Sequence, residues 1–246
     1  MAGHSKWKNI QHRKGAQDAK KAKMFTKVIK EISVAVKVSG PDVENNPRLR
    51  SALIEARSVN MPKDNIERAI KKASEKDAAS YEEINYEAYG PGGVAVFIEC
   101  ATDNPVRTVS NVRSYFNKHG GSLGKEGCLQ FVFDRKGVFQ LKSEGLDEDE
   151  FTLEMIDAGA EDVEFEGENI SITSSVEQFG RIQKKLGEMN IETESASLER
   201  IALDQKEVDV DTFKSVMKLV DKLEDDDDVQ KVYHNILYKE EFEEHL

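Results

Sequence analysis

The first thirty residues contain a dense set of basic side chains whose characteristic chemistry is the binding of phosphate. Nine lysines and arginines lie there, and Asp18 is the only acid before Glu31. Ammonium and guanidinium groups with few acidic neighbours attract the phosphates of nucleic acid. The predicted nucleic-acid contacts are His4, Lys6, Trp7, Lys8, His12, Arg13, Lys14, Lys20, Lys21, Lys23, Lys27 and Lys30.

The net charge of the chain changes sign along its length. Residues 1–76 carry 18 basic and 8 acidic side chains, a net charge of +10. Residues 77–246 carry 17 basic and 39 acidic side chains, a net charge of −22. This asymmetry predicts a segment that binds a polyanion rather than an evenly solvated acidic protein. Because the acidic remainder repels nucleic acid, we expect binding to be local and oriented.

Trp7, the only tryptophan, lies between two lysines in residues 1–15, the basic arm, which we predict to be flexible. Two interpretations of its indole ring stay open. The ring stacks on a base or enters a groove among phosphate contacts, or it is a hydrophobic plug that folds the arm onto the first domain. His4 and His12 lack metal-binding spacing, and we predict auxiliary polar contacts for them.

Residues 16–38 predict an amphipathic helix that positions the remaining lysines. Its apolar residues recur at helical spacing and form one stripe. Lys20, Lys23, Lys27 and Lys30 recur at helical spacing roughly opposite that stripe. These lysines are either an ordinary solvated face or a phosphate-binding face. A solvated face usually mixes charges of both signs, and the absence of acids here favours phosphate.

Two further helices complete a predicted three-helix domain over residues 1–76. Asn46 and Pro47 predict the cap and first turn of the second helix, and the third spans about residues 62–73. The pattern also fits a helix-turn-helix reader. Because no helix carries the Asn, Gln and Arg set that reads base edges, we favour binding led by phosphate. The secondary basic candidates here are Lys63, Arg68, Lys71 and Lys72.

Residues 77–246 alternate between strand and helix patterns, so the predicted fold class is mixed α+β. A hairpin is predicted around residues 90–93, and a strand over residues 128–133. From 137 to 200 the order β-α-β-β-α-β predicts a ferredoxin-like (split βαβ) domain. Residues 77–136 and 201–246 are predicted to form one discontinuous α/β domain around it, because the last segment is too short to fold alone.

Two stretches outside the basic region have the composition of ligand sites. The glycine-rich loop at residues 120–124 lacks the Gly-Lys-Ser/Thr end of a P-loop, which argues against a nucleotide site. The four consecutive aspartates at residues 225–228 fit either a divalent cation site or a solvated turn. Without a loop scaffold for the carboxylates we predict the solvated turn. We expect no metal and no other cofactor.

The sequence also bounds the chemistry and the compartment. We find no zinc-ligand pairs, nucleophile elbow or Walker sequence, and we predict that the protein is not an enzyme. Cys100 and Cys128 lie in apolar runs and predict buried thiols in a reducing compartment rather than a disulfide. No apolar run approaches the ~20 residues of a membrane helix, and the N-terminus lacks the pattern of a secretory signal. The predicted location is therefore cytoplasmic.

Five short stretches together resemble the YebC/PmpR family, which includes the mitochondrial translational activator of cytochrome oxidase subunit one. The opening stretch, residues 2–10, reads AGHSKWKNI. The others are residues 60–66 (NMPKDNI), 68–72 (RAIKK), 89–95 (YGPGGVA) and 120–124 (GGSLG). Each stretch alone is a weak signal, but jointly they are specific, and the likeness covers essentially the whole chain.

The resemblance implies a helical N-terminal domain followed by two α/β domains, in a bacterial cytosolic protein described as a DNA-binding transcriptional regulator. It also implies a link to translation, in which a factor at the ribosome relieves stalling on proline-rich nascent chains. One departure concerns the family pattern Asp-Asn-Arg-Asn-Arg-Thr, which here reads DNPVRT over residues 103–108. Only Arg107 remains there as a secondary basic candidate.

Three functions follow as hypotheses. The first is a DNA-binding transcriptional regulator, and the alternative is a ribosome-associated translation factor that binds ribosomal RNA. A weaker third is an adaptor whose acidic domains bind a protein. Clustered lysines at one end favour nucleic acid over the adaptor, whereas the sequence does not separate DNA from RNA and leaves the oligomeric state open.

Overall fold

Three helices form the first part of the structure. A computed structural model describes residues 18–75 and 80–245, with side chains from Ala22 onward. Helix α1 spans Asp18–Ser39, α2 spans Pro47–Ser58 and α3 spans Lys63–Ala73. The predicted helices of this region are confirmed to within two residues at the ends that the structure describes, and the predicted start of the first helix at residue 16 lies outside the described residues.

Asn46 determines where α2 begins and how it is held. Its Oδ1 accepts a hydrogen bond from the backbone N–H of Leu49 at 2.9 Å, which satisfies one of the free donors at the helix start. Its side-chain amide donates to the carbonyl oxygens of Ala35 and Gly40, each at 2.8 Å. The residue is fully buried. The predicted cap is confirmed, and the same side chain also ties α2 to the end of α1.

A four-stranded antiparallel sheet lies in the next part of the chain. Its strands are β1 (Glu82–Tyr89), β2 (Ala95–Thr102), β3 (Ser122–Leu123) and β8 (Val229–His234), in the order β3-β1-β2-β8. The predicted β1–β2 hairpin is confirmed, and its turn needs glycine. Gly92 has φ +67°, and a Cβ there would lie 2.6 Å from the Thr212 side chain.

Two helices cover one face of this sheet, α4 (Pro105–Lys118) and α7 (Val210–Glu224). Their buried side chains, among them Phe116 and Phe213, pack with Ile98 of the central strand. On the other face of β2, Phe97 packs with Leu129 and Phe133. Because strand side chains alternate between faces, the apolar run at the start of β2 contributes to both clusters.

The second sheet is ferredoxin-like, as predicted. Its strands are β4 (Phe133–Lys142), β5 (Ala160–Glu166), β6 (Asn169–Ser175) and β7 (Thr193–Ala202), in the order β5-β6-β4-β7. Helix α5 (Glu148–Asp157) follows β4 and helix α6 (Phe179–Glu188) follows β6, which is the split βαβ connection. The core of this module includes Phe139, Phe151, Ile170, Ile172 and Leu186.

The described residues divide into two compact units. The first contains residues 18–27, 80–134 and 201–245, and the second contains 28–75 and 135–200. The first unit is thus discontinuous in sequence, with the ferredoxin-like segment inserted in it. The finer division into three domains, 1–76, 77–136 with 201–246, and 137–200, stays a prediction.

The predicted strand at residues 128–133 is wrong. Residues 126–132 form turns, and β4 begins only at Phe133. The carboxylate of Glu87 accepts hydrogen bonds from the backbone N–H groups of Gly127, at 2.8 Å, and Leu129, at 2.5 Å. Those donors are therefore not available to a sheet. Cys100 is buried but Cys128, in this turn, is exposed, and the two cysteines do not form a disulfide.

Candidate nucleic-acid interface

The predicted contacts nearest the N-terminus lie outside the described residues. This holds for every candidate in residues 1–17, and for the side chains of Lys20 and Lys21 in the first turn of α1. Those outside are His4, Lys6, Trp7, Lys8, His12, Arg13, Lys14, Lys20 and Lys21. Lys23 is the first predicted contact whose side chain the structure describes.

Lys23 and Lys27 hold the first turns of α1 against the end of α7. Nζ of Lys23 lies 2.9 Å from Oδ1 of Asp225 and 3.1 Å from the Asp225 carbonyl oxygen. Nζ of Lys27 donates to the carbonyl oxygen of Glu224 at 2.8 Å. The carbonyl groups that end a helix lack partners within it and carry partial negative charge, which ammonium groups neutralise. Two predicted phosphate ligands therefore have partners within the same unit.

The ion pair of Lys23 is open to exchange. The side chains of Lys23 and Asp225 retain 42% and 56% of their surface exposed. An exposed pair of this kind contributes roughly 0–1 kcal/mol, because water and salt screen it and both side chains lose freedom. A phosphate that reaches Lys23 therefore displaces a weak contact rather than a structural one.

The predicted row of four lysines on α1 needs correction at Lys30. Only 7% of Lys30 is exposed, whereas Ile29, assigned to the apolar stripe, is 38% exposed. An amphipathic helix buries one face and exposes the other. From residue 32 to residue 36 every side chain is buried, so burial surrounds the helix in this stretch. A helix enclosed in this way does not present a continuous lysine face.

The secondary candidates on α3 differ among themselves. Nζ of Lys63 lies 3.6 Å from Oε1 of Glu67. Nη2 of Arg68 donates to Oδ1 of Asn65 at 2.6 Å. Lys71 and Lys72 are exposed in the last turn, where a helix dipole favours cations. In the described ranges, neither of these two lysines lies within ion-pair distance of a carboxylate.

Arg107 is held by acids of its own chain. Its Nη2 lies 2.7 Å from Oδ2 of Asp228 and 2.8 Å from Oδ1 of Asp103. The hydrogen bonds to Asp228 and then to Asp103 raise the pKa of the guanidinium above its ordinary value. Thr108 also donates to the Asp228 carboxylate, at 2.9 Å. Asp228 is buried, so this group forms part of the fold, and the structure gives Arg107 a partner other than phosphate.

Residues 225–228, here called the acidic turn, are more than the solvated turn that we predicted. Besides the contact of Asp228, Oδ2 of Asp226 accepts hydrogen bonds from Asn111 at 3.0 Å and from the Tyr115 hydroxyl at 2.9 Å. Burial, and then the hydrogen bond to Asp226, raise the pKa of Tyr115 to about 12. The turn thereby joins the end of α7 to α4.

A sequence signal for the acidic turn existed and was missed. Acids that follow the last residue of a helix lie at the negative end of its dipole, where they are unfavourable unless cations or donors neutralise them. Asp225–Asp228 follow directly after α7. That position predicts nearby basic or hydroxyl partners, which the structure supplies in Lys23, Arg107 and Tyr115.

The glycine-rich loop packs against the β1–β2 hairpin. A Cβ on Gly121 would lie 2.6 Å from the carbonyl oxygen of Tyr89, and one on Gly124 would lie 2.5 Å from Sγ of Cys128. Ser122 and Leu123 between them pair with β1. Close backbone approach explains these two glycines without a phosphate ligand.

The described part of the chain lacks two kinds of feature, a metal-binding cluster and a membrane-spanning helix. Within residues 18–75 and 80–245, no group of three or more His, Cys, Asp or Glu side chains has an arrangement that could hold a metal ion. None of the helices in these ranges is long and apolar enough to cross a membrane.

Two parts of the chain match models of one protein family. Residues 5–76 match the model for the TACO1/YebC protein N-terminal domain, and residues 81–236 match the model for the TACO1/YebC second and third domain. A relative from Amoebophilus asiaticus, named "Probable transcriptional regulatory protein", is 55% identical over 96% of this chain and 98% of its own. One from Bacillus licheniformis with the same description is 53% identical over 96% of this chain and 100% of its own.

A solved crystal structure has a fold similar to that of this chain. The crystal structure of a conserved hypothetical protein from Aquifex aeolicus has a TM-score of 0.79 and 41% sequence identity. The alignment covers 91% of this chain and 93% of that one. The predicted α+β architecture is confirmed by this likeness together with the two sheets described above.

Proposed function

Because the chain belongs to the TACO1/YebC family, we propose that it is a nucleic-acid-binding regulator of gene expression, and specifically a DNA-binding transcriptional regulator. Its relatives carry the name of probable transcriptional regulatory proteins, which supports a regulatory role. It acts in the cytoplasm by binding and not by catalysis.

The separation of charge along the chain is the observation on which the proposal rests. Residues 1–76 have a net charge of +10 and the rest −22. Cations that neutralise phosphates release the counterions condensed on nucleic acid, and this release supplies most of the affinity that does not depend on sequence. The basic arm and the first turns of α1 are the contact segment. Lys71 and Lys72 at the end of α3 are secondary phosphate contacts in the other compact unit.

A second candidate is a ribosome-associated translation factor that binds ribosomal RNA and relieves stalling on proline-rich nascent chains. The negative charge of residues 77–246 favours it, because an acidic body resists wrapping by a long duplex. A basic arm that reaches into an RNA-lined cleft avoids that repulsion. Both candidates use the same phosphate contacts and differ in the polymer that supplies them.

Binding measured against salt concentration tests the shared step. If six to eight phosphates are neutralised, the slope of log K against log[salt] on duplex DNA is about −5 to −7. Deletion of residues 1–17, which leaves every described residue in place, should remove most of this affinity and most of the slope. Equal affinity at ~50 and ~300 mM salt, or an unchanged slope after the deletion, contradicts the proposal.

Crosslinking in cells followed by sequencing separates the two candidates. Recovery of promoter DNA supports the transcriptional regulator, and recovery of ribosomal RNA supports the translation factor. The deletion of residues 1–17 is the matched control, because it should lower recovery of whichever polymer is the partner.

A further inference from the structure

Helices α4 and α7 run side by side in opposite directions. Arg107 and Thr108, at the start of α4, contact Asp228 beyond the end of α7. Two turns further along α4, the Tyr115 ring lies 5.5 Å from Nζ of Lys222, within the last turn of α7. Residues nearer the C-terminus of α4 therefore lie beside residues nearer the N-terminus of α7, so the two helices are antiparallel.

This register brings together lysines that are far apart in sequence. One turn beyond Tyr115 is Lys118, and one turn before Lys222 is Lys218, so these two lysines lie on neighbouring turns of adjacent helices. Lys214 lies a further turn back along α7. We call the set Lys118, Lys214, Lys218 and Lys222 the lysine row.

The lysine row is a cationic surface in an acidic part of the chain. Lys118, Lys218 and Lys222 are exposed and Lys214 is half-buried. Helix α4 contains no Asp or Glu, whereas α7 contains Asp211, Asp221 and Glu224. Among the residues that the structure describes, no carboxylate lies within ion-pair distance of any of these four lysines. Residues 77–246 as a whole carry a net charge of −22, so a local row without ion pairs departs from its surroundings.

The row also continues the proposed N-terminal contact segment. Lys27 and Lys23 of α1 contact Glu224 and Asp225, two and three residues after Lys222. The first turns of α1 therefore meet α7 at the end where the row stops. Lysines four residues apart are separated by about 6 Å along a helix, so Lys214 to Lys222 span about 12 Å. A single strand presents phosphates about every 3.4 Å along the axis of a duplex, which gives about four phosphates over that length.

We propose that the lysine row is a second contact surface for the phosphate backbone of the same nucleic acid that the N-terminal segment binds. The inference rests on the proposed function and adds a site to it. The chemistry is that of ammonium groups facing phosphate oxygens, which positions the nucleic acid without readout of its bases.

Neutralisation of the row tests the proposal in the full-length protein. The variant K118Q/K214Q/K218Q keeps Lys222 and its contact with Tyr115. Its matched control, K125Q/K142Q/K184Q, removes the same charge from three exposed lysines elsewhere. On a short duplex the row variant should lower the magnitude of the salt slope by about two to three and weaken binding at least about tenfold, since each lost contact accounts for about 0.9 of slope. The control should retain the wild-type slope.

The outcomes separate this proposal from the proposed function. If wild-type protein binds and loses binding on deletion of residues 1–17, while the row variant matches the control, the lysine row is not a contact surface although the function stands. If wild-type protein binds neither duplex DNA nor a ribosomal RNA fragment, the proposed function itself fails. The single change Lys218→Gln is the variant to use should the triple one unfold, and it should lower the slope by about one.

Discussion

Asp225 and Asp228 belong to one run of four aspartates, but the structure places them in opposite surroundings. Asp225 pairs with Lys23 in the open, where the two side chains are 56% and 42% exposed. The Asp228 side chain is 4% exposed and contacts Arg107 and Thr108. Charge alone does not distinguish these acids. Burial does, because an ion pair in water is screened whereas a buried carboxylate depends on its partners.

Lys23 and Arg107, the cations that pair with these two acids, have different roles. Arg107 is bound to the carboxylate of Asp228, which is buried from water. Asp228 therefore remains the partner of Arg107 when a phosphate competes for the guanidinium. Lys23 is bound to a carboxylate that water and salt already compete for, so a phosphate can replace it. The acidic turn thus combines a structural contact at one end with an exchangeable contact at the other.

The largest expected effect is on stability and follows from Asp228. Asp228→Ala leaves Arg107 and Thr108 without their shared acceptor, and we expect a loss of about 2–3 kcal/mol in the free energy of unfolding, below the full range for buried pairs because Arg107 is half-exposed. Urea denaturation measures it. Asp225→Ala, the matched change at the exposed end of the turn, should cost under about 1 kcal/mol. Equal losses for the two variants would remove the contrast between them.

A smaller effect should appear at high pH, through Tyr115. Its pKa is raised from 10.0 in the unfolded chain to about 12 in the fold, so the folded state keeps a proton that the unfolded state releases. Stability from this hydroxyl is therefore complete below pH 10 and is lost as the pH rises towards 12. We expect about 1–2 kcal/mol over that window, after allowance for partial exposure to solvent.

Tyr115→Phe is the control that isolates this titration. The variant lacks the hydroxyl that donates to Asp226 and should lose about 1 kcal/mol near neutral pH. The difference in unfolding free energy between wild type and variant should then shrink and change sign between pH 10 and 12. A difference that stays constant across the window would show that Tyr115 does not titrate in this way. Because other tyrosines titrate in both proteins, only the difference between them is informative.

Local patterns were sufficient for much of the fold. The Asn46 cap, the hairpin around Gly92 and the β-α-β-β-α-β order are encoded within a few residues of where they act, and all were predicted. The surroundings of the charged side chains were harder, because they depend on contacts distant in sequence. Asp225 is 202 residues from Lys23, and no periodicity in α1 could indicate that partner or the burial of Lys30.

The lysine row was also not predicted, because it depends on contacts between residues that are distant in sequence. Lys118 and Lys218 are unremarkable within their own helices, and they become neighbours only because α4 and α7 are antiparallel. The charge asymmetry of the sequence located a basic segment at the N-terminus, but the net charge of −22 over residues 77–246 concealed a cationic surface within it. Averages over a long segment lose local charge arrangement, which is the quantity that determines phosphate binding.

The smallest predicted effect concerns the exposed ion pair of Lys23 and Asp225. Asp225→Asn removes the charge that competes with phosphate for Lys23, so affinity for nucleic acid should rise about two- to fivefold, the equivalent of about 0.4–1 kcal/mol, which is the range of an exposed ion pair. Fluorescence anisotropy at fixed salt measures it. Glu144→Gln, which removes one exposed negative charge from the other compact unit, corrects for the change in net charge. If both variants bind equally well, Lys23 does not exchange Asp225 for phosphate, and its pairing is part of the fold in the same sense as that of Arg107.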